Sequence, residues 1–241
     1  MKYLMTISYD GSKYNGLQKL NGKKTVQGEL EEVLSKMNEK QVHVKASGRT
    51  DKGVHAIGQK CHFELDKPTT TYKLRYYINR STSPYIYVKE LKEVADDNFH
   101  ARFSVKSKVY EYRINVGEYD PLTNDYAYNF NQKLDIRKMK HASHLFIGEH
   151  NFKAFVVDKH KTYDSYIEYI NIKKKNDIIY ITFAGKAFYT YMVRNMVSAL
   201  ILVGSDKIDE CIIDEMLKTG TKVIEYAPVP ASGLYLKEVI Y

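Results

Sequence analysis

Apolar and polar positions alternate over residues 2–9, KYLMTISY, and the alternation stops at Asp10-Gly11. A period of two closed by a turn pair predicts a half-buried strand. The period then changes. Over residues 26–37, VQGELEEVLSKM, apolar side chains recur at three- and four-residue spacing. Thr25 is placed to cap and acids fill the early turns, so a helix is predicted there. Strands are predicted over 42–46, 57–65 and 85–94, with a helix over 72–79. After a basic link at 100–108 the same grammar returns: a strand over 109–116, a helix over 135–146 and a hairpin of 166–173 with 178–184. Helices over 189–203 and 208–218 follow, and a strand over 234–240 closes the chain. No sequence repeat is visible, yet both halves mix strands and helices in similar proportion. The pattern predicts an α+β protein of two related halves, 1–104 and 105–241, their strands merging in one antiparallel sheet.

Hydrophobic residues make up 44% and charged residues 27%, the balance of an ordinary globular protein. Aromatic usage is less ordinary, with 22 Tyr, 9 Phe and no Trp. Tyrosine is a good strand former, which accounts for most of these, and its flat face also stacks on bases. The net charge of +8 favours a polyanionic partner and argues against small cationic ligands. By itself the same excess also suits a merely soluble surface. Cys61 and Cys211 lie far apart and the eight histidines lack paired spacing, so no zinc site is read. Both thiols are expected to be buried and reduced, as in a cytosol. The first residues enter a strand without a signal-peptide run, and the apolar stretch near 197–203 is too short to span a bilayer. A soluble, cytoplasmic protein without membrane attachment is expected.

The most informative segment is GRTDKGVHA, residues 48–56. Its glycines let the backbone turn sharply and approach a ligand closely. Arg49 and Asp51, two apart, come near one another in an extended loop, where the cation would hold the carboxylate ionised. An ionised, partly desolvated carboxylate is a nucleophile. For an arbitrary Gly-Arg-Thr-Asp-x-Gly, a structural salt bridge in a tight turn is the commoner outcome. His55 and His62, lone histidines beside strands, read as hydrogen-bonded structural residues. Arg194, flanked by Met192-Val193 and Met196-Val197, needs a carboxylate partner, for which Asp51 and Glu149 are the candidates. Arg102, Lys106 and Lys108 are candidate phosphate contacts. The run Lys173-Lys174-Lys175 reads equally well as a solvated hairpin tip.

GRTDKGVHAIGQ resembles the signature GRTDxGVHAxGQ of the tRNA pseudouridine synthase A (TruA) family. Further segments resemble that family in order: YDGSKYNG from Tyr9, TVQGELE from Thr25, FHARFS from Phe99, and KVYEY from Lys108. GEHNF from Gly148, MVRN from Met192 and ASGLYL from Ala231 complete the series. The resemblance implies two ferredoxin-like (RRM-like) halves around a central antiparallel sheet, with the catalytic cleft between them. It implies Asp51 as the catalytic residue, Arg49 as the group that displaces and holds a flipped uridine, Tyr110 as the stacking platform and Arg194 as the ion-pair partner of Asp51. It also implies no metal or organic cofactor, a tRNA substrate modified at positions 38–40 of the anticodon stem-loop, and a homodimer. These assignments agree with the chemistry. Turning a glycosidic C–N bond into C–C needs no redox step, and the chain carries no Walker loop or dinucleotide fingerprint. A flipped base costs a few kcal/mol, and an arginine can fill the gap.

The chain departs from the family pattern in three places. Leu17 stands where members commonly have Trp. The segment after the second helix is shifted, Ile78-Asn79 being followed by Arg80-Ser81-Thr82-Ser83-Pro84. An expected Arg-Thr-Ile is Lys161-Thr162-Tyr163. These loops bear on the choice of RNA, leaving open another tRNA position, ribosomal RNA, or an RNA-binding role without catalysis.

Overall fold

The computed structural model describes residues 1–67 and 69–241. In chain order its strands and helices are β1 (Lys2–Tyr9), α1 (Val26–Asn38), β2 (Lys45–Ala46), β3 (His55–Glu64), α2 (Thr71–Ser81), β4 (Ile86–Glu93) and β5 (Ser107–Asn115). There follow β6 (Tyr128–Asn129), α3 (Ile136–Ser143), β7 (Gly148–Asn151), β8 (Asp164–Lys175), β9 (Ile178–Gly185), α4 (Met192–Gly204), α5 (Cys211–Thr219) and β10 (Leu234–Ile240). The chain is α+β, its strands mostly antiparallel, and it divides into two compact units. The first comprises Met1–Lys106 with Tyr235–Tyr241, the second Ser107–Leu234. A division by chain order at 104/105 places the last strand with the second half; here it lies with the first unit.

In the first unit the order β1-α1-β2-β3-α2-β4 builds a sheet in which β4, β1 and β3 lie side by side and β2 pairs with β3. That is the connectivity of a ferredoxin-like βαββαβ unit. The outer edge of β3 is divided. Lys45 and Ala46 run antiparallel to His62 and Cys61, whereas Tyr235 and Leu236 run parallel to His55 and Ala56. One face of β1 carries Tyr3, Met5 and Ile7, each fully buried like Leu30 and Leu34 of α1 and Leu74 and Ile78 of α2. The alternation of β1 therefore does what a period of two requires, with every second side chain in the core. Thr25 caps α1 by accepting the Gly28 N–H at 3.2 Å.

The second unit follows with β5-α3-β8-β9-α4, and its strands lie in the order β5, β9, β8, β7, with β6 beside β5. Ile179, Ile181 and Phe183 of β9 are fully buried, as are Met139 of α3 and Met196 and Leu200 of α4. Most of α4 is buried, which is why its sequence shows a continuous apolar run rather than a stripe.

Several boundaries differ from the sequence pattern for physical reasons. Residues 42–44 alternate like a strand and Val42 and Val44 are buried, yet only Lys45–Ala46 pair. The Val42 N–H goes to Ser35 Oγ at 2.9 Å and the Val44 N–H to Glu31 Oε1 at 3.0 Å. Gln27 Nε2 donates to the Val44 carbonyl at 3.0 Å. Side chains of α1 thus satisfy backbone groups that a ladder would otherwise take. The helix predicted from 189 begins at Met192, because Tyr191 sits at φ +62°, a left-handed conformation that no α-helix continues. The helix predicted from 208 begins at Cys211, whose N–H is capped by Asp209 at 2.9 Å. The helix predicted over 135–146 ends as the 3-10 turn His144–Phe146. The short strand β7, GEHN, has no apolar alternation and so gives no strand signal in the sequence.

Candidate active site

The loop 48–54 joins β2 to β3, and most of its residues are spent on holding it. Gln59, fully buried, donates from Nε2 to the Gly48 carbonyl at 3.0 Å, while its Oε1 accepts from Ser47 Oγ at 2.6 Å and Lys60 N–H at 3.1 Å. Thr50 is buried: its hydroxyl shares a 2.8 Å hydrogen bond with Tyr9 Oη, and its carbonyl accepts the Leu17 N–H at 3.1 Å. The Val54 N–H closes a turn onto the Asp51 carbonyl at 3.2 Å, with Gly53 at φ +84°.

A second segment straps the loop from outside. A methyl carbon at Gly11 would stand 2.0 Å from the Val54 carbonyl oxygen; one at Gly16, itself at φ +88°, would stand 2.8 Å from that of Thr50. Only glycine allows backbones so close. His55, buried, accepts the Gly11 N–H on Nδ1 at 3.1 Å and stacks on Tyr235, with ring centroids 4.6 Å apart. Because Nδ1 accepts, the neutral ring carries its proton on Nε2; the Asp10 carboxylate lies 3.3 Å from Nδ1. In this frame Arg49 is exposed and Asp51 half-buried.

Residues 100–106 of the basic link belong to the same unit. Ala101 is buried, its N–H donated to His62 Nδ1 at 3.0 Å and its carbonyl accepting Tyr241 Oη at 2.8 Å. Burial, then the charges of His100, Lys45 and Lys2, push the His62 imidazole down to about 4, so it is neutral near pH 7. The Arg102 N–H caps onto His100 Nδ1 at 3.1 Å, and the His100 ring stacks at 4.4 Å on Phe103, which is largely exposed. Arg102 and Lys106 are exposed.

In the second unit Tyr110 lies on β5 opposite Phe183 of β9, nearly buried and edge-on to Phe188 at 5.0 Å. Lys108, half-buried, precedes it opposite Gly185. Tyr112, on the same face of β5, donates to the Pro230 carbonyl at 2.7 Å, and burial drives its phenol well above the usual range. Arg194 leaves the first turn of α4 with Nε donating to the Val229 carbonyl at 2.7 Å and its guanidinium 4.4 Å over the Tyr191 ring. Ser198 Oγ accepts the Val229 N–H at 3.0 Å, tying the same segment to the helix. Glu149, the other carboxylate considered for Arg194, is exposed on β7. The anchoring role of Val229, 35 residues along the chain from Arg194, has no signal in the sequence. Tyr9 and Gln59, by contrast, stand within motifs already singled out.

Among the described residues no group of three or more His, Cys, Asp or Glu side chains is gathered to hold a metal ion, and no helix is long and apolar enough to cross a membrane.

A family model described as tRNA pseudouridine synthase matches residues 5–104 and again 142–241, so both halves carry the family's pattern. The chain is 41% identical over 239 residues to a tRNA pseudouridine synthase A of Mycoplasmoides gallisepticum, covering 99% of this chain and 90% of that protein. Its likeness to the proteins of that name from Mycoplasma genitalium and Streptococcus mutans is 38% and 36%, over 100% of this chain and 98% and 99% of theirs. Together these matches run the length of the chain and take in the loop 48–54, β5 and α4: the chain belongs to the tRNA pseudouridine synthase family and is an isomerase.

Proposed function

We propose that this chain isomerises uridine to pseudouridine in tRNA, on the 3′ side of the anticodon stem-loop, with the Asp51 carboxylate as nucleophile. One observation supports the reading above the rest. The segment GRTDKGVHAIGQ is held through Thr50, Gly53, Val54, His55 and Gln59, and this leaves Arg49 exposed and Asp51 half-buried. A loop fixed so thoroughly around two charged side chains is pre-organised for chemistry at them.

In this reading the N1–C1′ bond of uridine breaks after attack by Asp51 on the pyrimidine ring or on C1′. The freed uracil turns in place and C5 bonds to C1′. The bond from the Asp51 carboxylate to C1′ or to the ring breaks, regenerating the carboxylate, while C5 loses its proton and N1 takes one up. Tyr110 supplies the flat surface that keeps the ring in plane, stacking being worth roughly 1–3 kcal/mol per base. Arg49 fills the place of the flipped nucleotide, and Arg194 acts as counter-ion of the carboxylate. Arg102, Lys106 and Lys108 take phosphates. The protein works as a homodimer in the cytoplasm.

The test is tritium release from tRNA transcripts labelled at uracil C5, with wild type and Asp51→Asn side by side. Release by wild type alone is expected, and it disappears when the target uridines of the anticodon stem-loop are replaced. Equal release by Asp51→Asn removes the nucleophile from the reading. No release from any tRNA overturns the substrate and turns attention to ribosomal RNA.

A further inference from the structure

Phe103, in the FHARFS motif, has no part in the reading above, yet it stands in water, 78% exposed. Exposed tyrosines keep a hydroxyl for the solvent; a phenylalanine has none. Nor does a loose loop explain the exposure. Phe103 and Ser104 both donate their N–H groups to the His100 carbonyl, at 3.1 and 2.9 Å, and the His100 N–H goes to Ser104 Oγ at 3.1 Å. With Ala101 bonded to His62 and Arg102 to His100, every backbone N–H of residues 100–104 is taken up within the protein.

The ring is also propped from behind. His100 lies 4.4 Å from it, with 29° between the planes, and meets the buried His62 edge-on at 4.8 Å. Burial first, then the charges of Lys45, Lys2 and Arg102, hold the His100 imidazole below its usual range, so it is neutral at pH 7 and packs as a flat aromatic. All three of those charges are positive. Lys2 spends its ammonium on the carbonyls of Asp97 and Phe99, at 2.5 and 3.2 Å. Lys45, opposite His62 on the neighbouring strand, and Arg102 are exposed, and neither side chain is bonded to any of the described residues.

An apolar ring fixed in solvent between two uncommitted cations suits a ligand of flat bases joined by phosphates. The reacting uridine is not that ligand. His55, which braces the Asp51 loop, and His62, which holds the 100–104 turn, stand seven residues apart on β3, roughly 23 Å at about 3.3 Å per residue. Bases inside a duplex are stacked on one another, so the ring selects an unpaired one. We propose that Phe103, backed by His100, is a stacking platform for an unpaired base of the RNA substrate remote from the target uridine, with Lys45 and Arg102 on the adjoining phosphates. The proposal rests on the pseudouridine synthase reading and gives it a second point of RNA recognition.

The chain has no Trp, so Phe103→Trp puts a single indole at the platform. In the full chain carrying Asp51→Asn, binding of tRNA transcripts should quench its emission, whereas heparin, a polyanion without bases, should not. By fluorescence anisotropy Phe103→Leu should weaken tRNA binding about 5- to 150-fold, the loss of one stacked base. Because the ring is uncharged and exposed, the slope of log affinity against log salt and the denaturant melt should stay as in wild type. Lys45→Ala with Arg102→Ala should instead lower that slope by about 1.5. With Asp51 restored, the loss from Phe103→Leu should fall on KM rather than kcat in tritium release. Wild-type binding by Phe103→Leu, or an indole unmoved by saturating tRNA, overturns the platform while wild-type release still upholds the enzyme reading. So does a Phe103→Leu chain that loses self-association alone, which assigns the ring to a second copy. If wild type neither binds nor modifies tRNA, the reading fails and the platform with it.

Discussion

Replacing Gly11 by alanine sets a methyl carbon 2.0 Å from the Val54 carbonyl oxygen and 2.4 Å from its carbon. Ordinary contact begins near 3.4 Å, so strap and loop must separate by about 1.4 Å. Neither side moves easily. The Gly11 N–H is bonded to His55 and its carbonyl to Tyr14 N–H, while Val54 N–H is bonded to the Asp51 carbonyl. Overpacking of this kind costs about 1–3 kcal/mol, and a 1 Å misplacement of a reacting group costs about 100-fold in rate. The expected result is a modest loss of stability in a denaturant melt with a far larger loss of single-turnover tritium release. Gly220→Ala is the control. Its φ of +64° at the end of α5 strains any other residue, so stability falls by about 1 kcal/mol, but the loop is untouched and release should persist. If Gly11→Ala loses stability as expected yet releases tritium at the wild-type rate, the strap does not set the position of Asp51.

Two further outcomes follow from the packing. His62 has a folded pKa of about 4 against an ordinary 6.5, so the unfolded chain takes up a proton that the folded chain refuses. The stabilisation, at most about 3 kcal/mol, is full above pH ~6.5 and is lost as pH falls towards 4. Denaturant melts across that window should show the loss, and His62→Asn, which retains an acceptor for Ala101 N–H, should reduce it; equal slopes in both proteins refute the assignment. Ser198→Ala strips the partner from the buried Val229 N–H, with an expected cost of about 1–3 kcal/mol and slower tritium release, because Val229 orients Arg194. A variant as stable and as fast as wild type would show that this clamp contributes nothing.

How much of this was legible in the chain depends on how far apart the interacting residues lie. β1 could be read to the residue, because its alternation and its Asp10-Gly11 stop are both local. Thr25 could be read as a cap for the same reason. Arg49 and Asp51 stood out through a motif of consecutive residues. What the sequence could not show were long-range backbone contacts. Nothing in residues 42–44 announces that Gln27, Glu31 and Ser35 will take their hydrogen bonds, so a helix-facing segment imitates a strand. Tyr191 carries no mark of its left-handed backbone, since turn glycines and asparagines, not tyrosines, advertise one. Gly11 and Gly16 look like ordinary turn residues until the loop they strap is in place.

The return of residues 235–241 to the first unit bears on how the protein is made. The ring beneath His55 and the hydroxyl that holds Ala101 both come from this segment, through Tyr235 and Tyr241. A ribosome delivers them only after the whole second unit has been synthesised. The frame around the GRTD loop therefore stays incomplete while the nascent chain grows, although every residue of the loop itself emerged early. Domains commonly fold in the order of translation; here the unit translated first is finished last, and a truncated product carries the GRTD loop on an unfinished support.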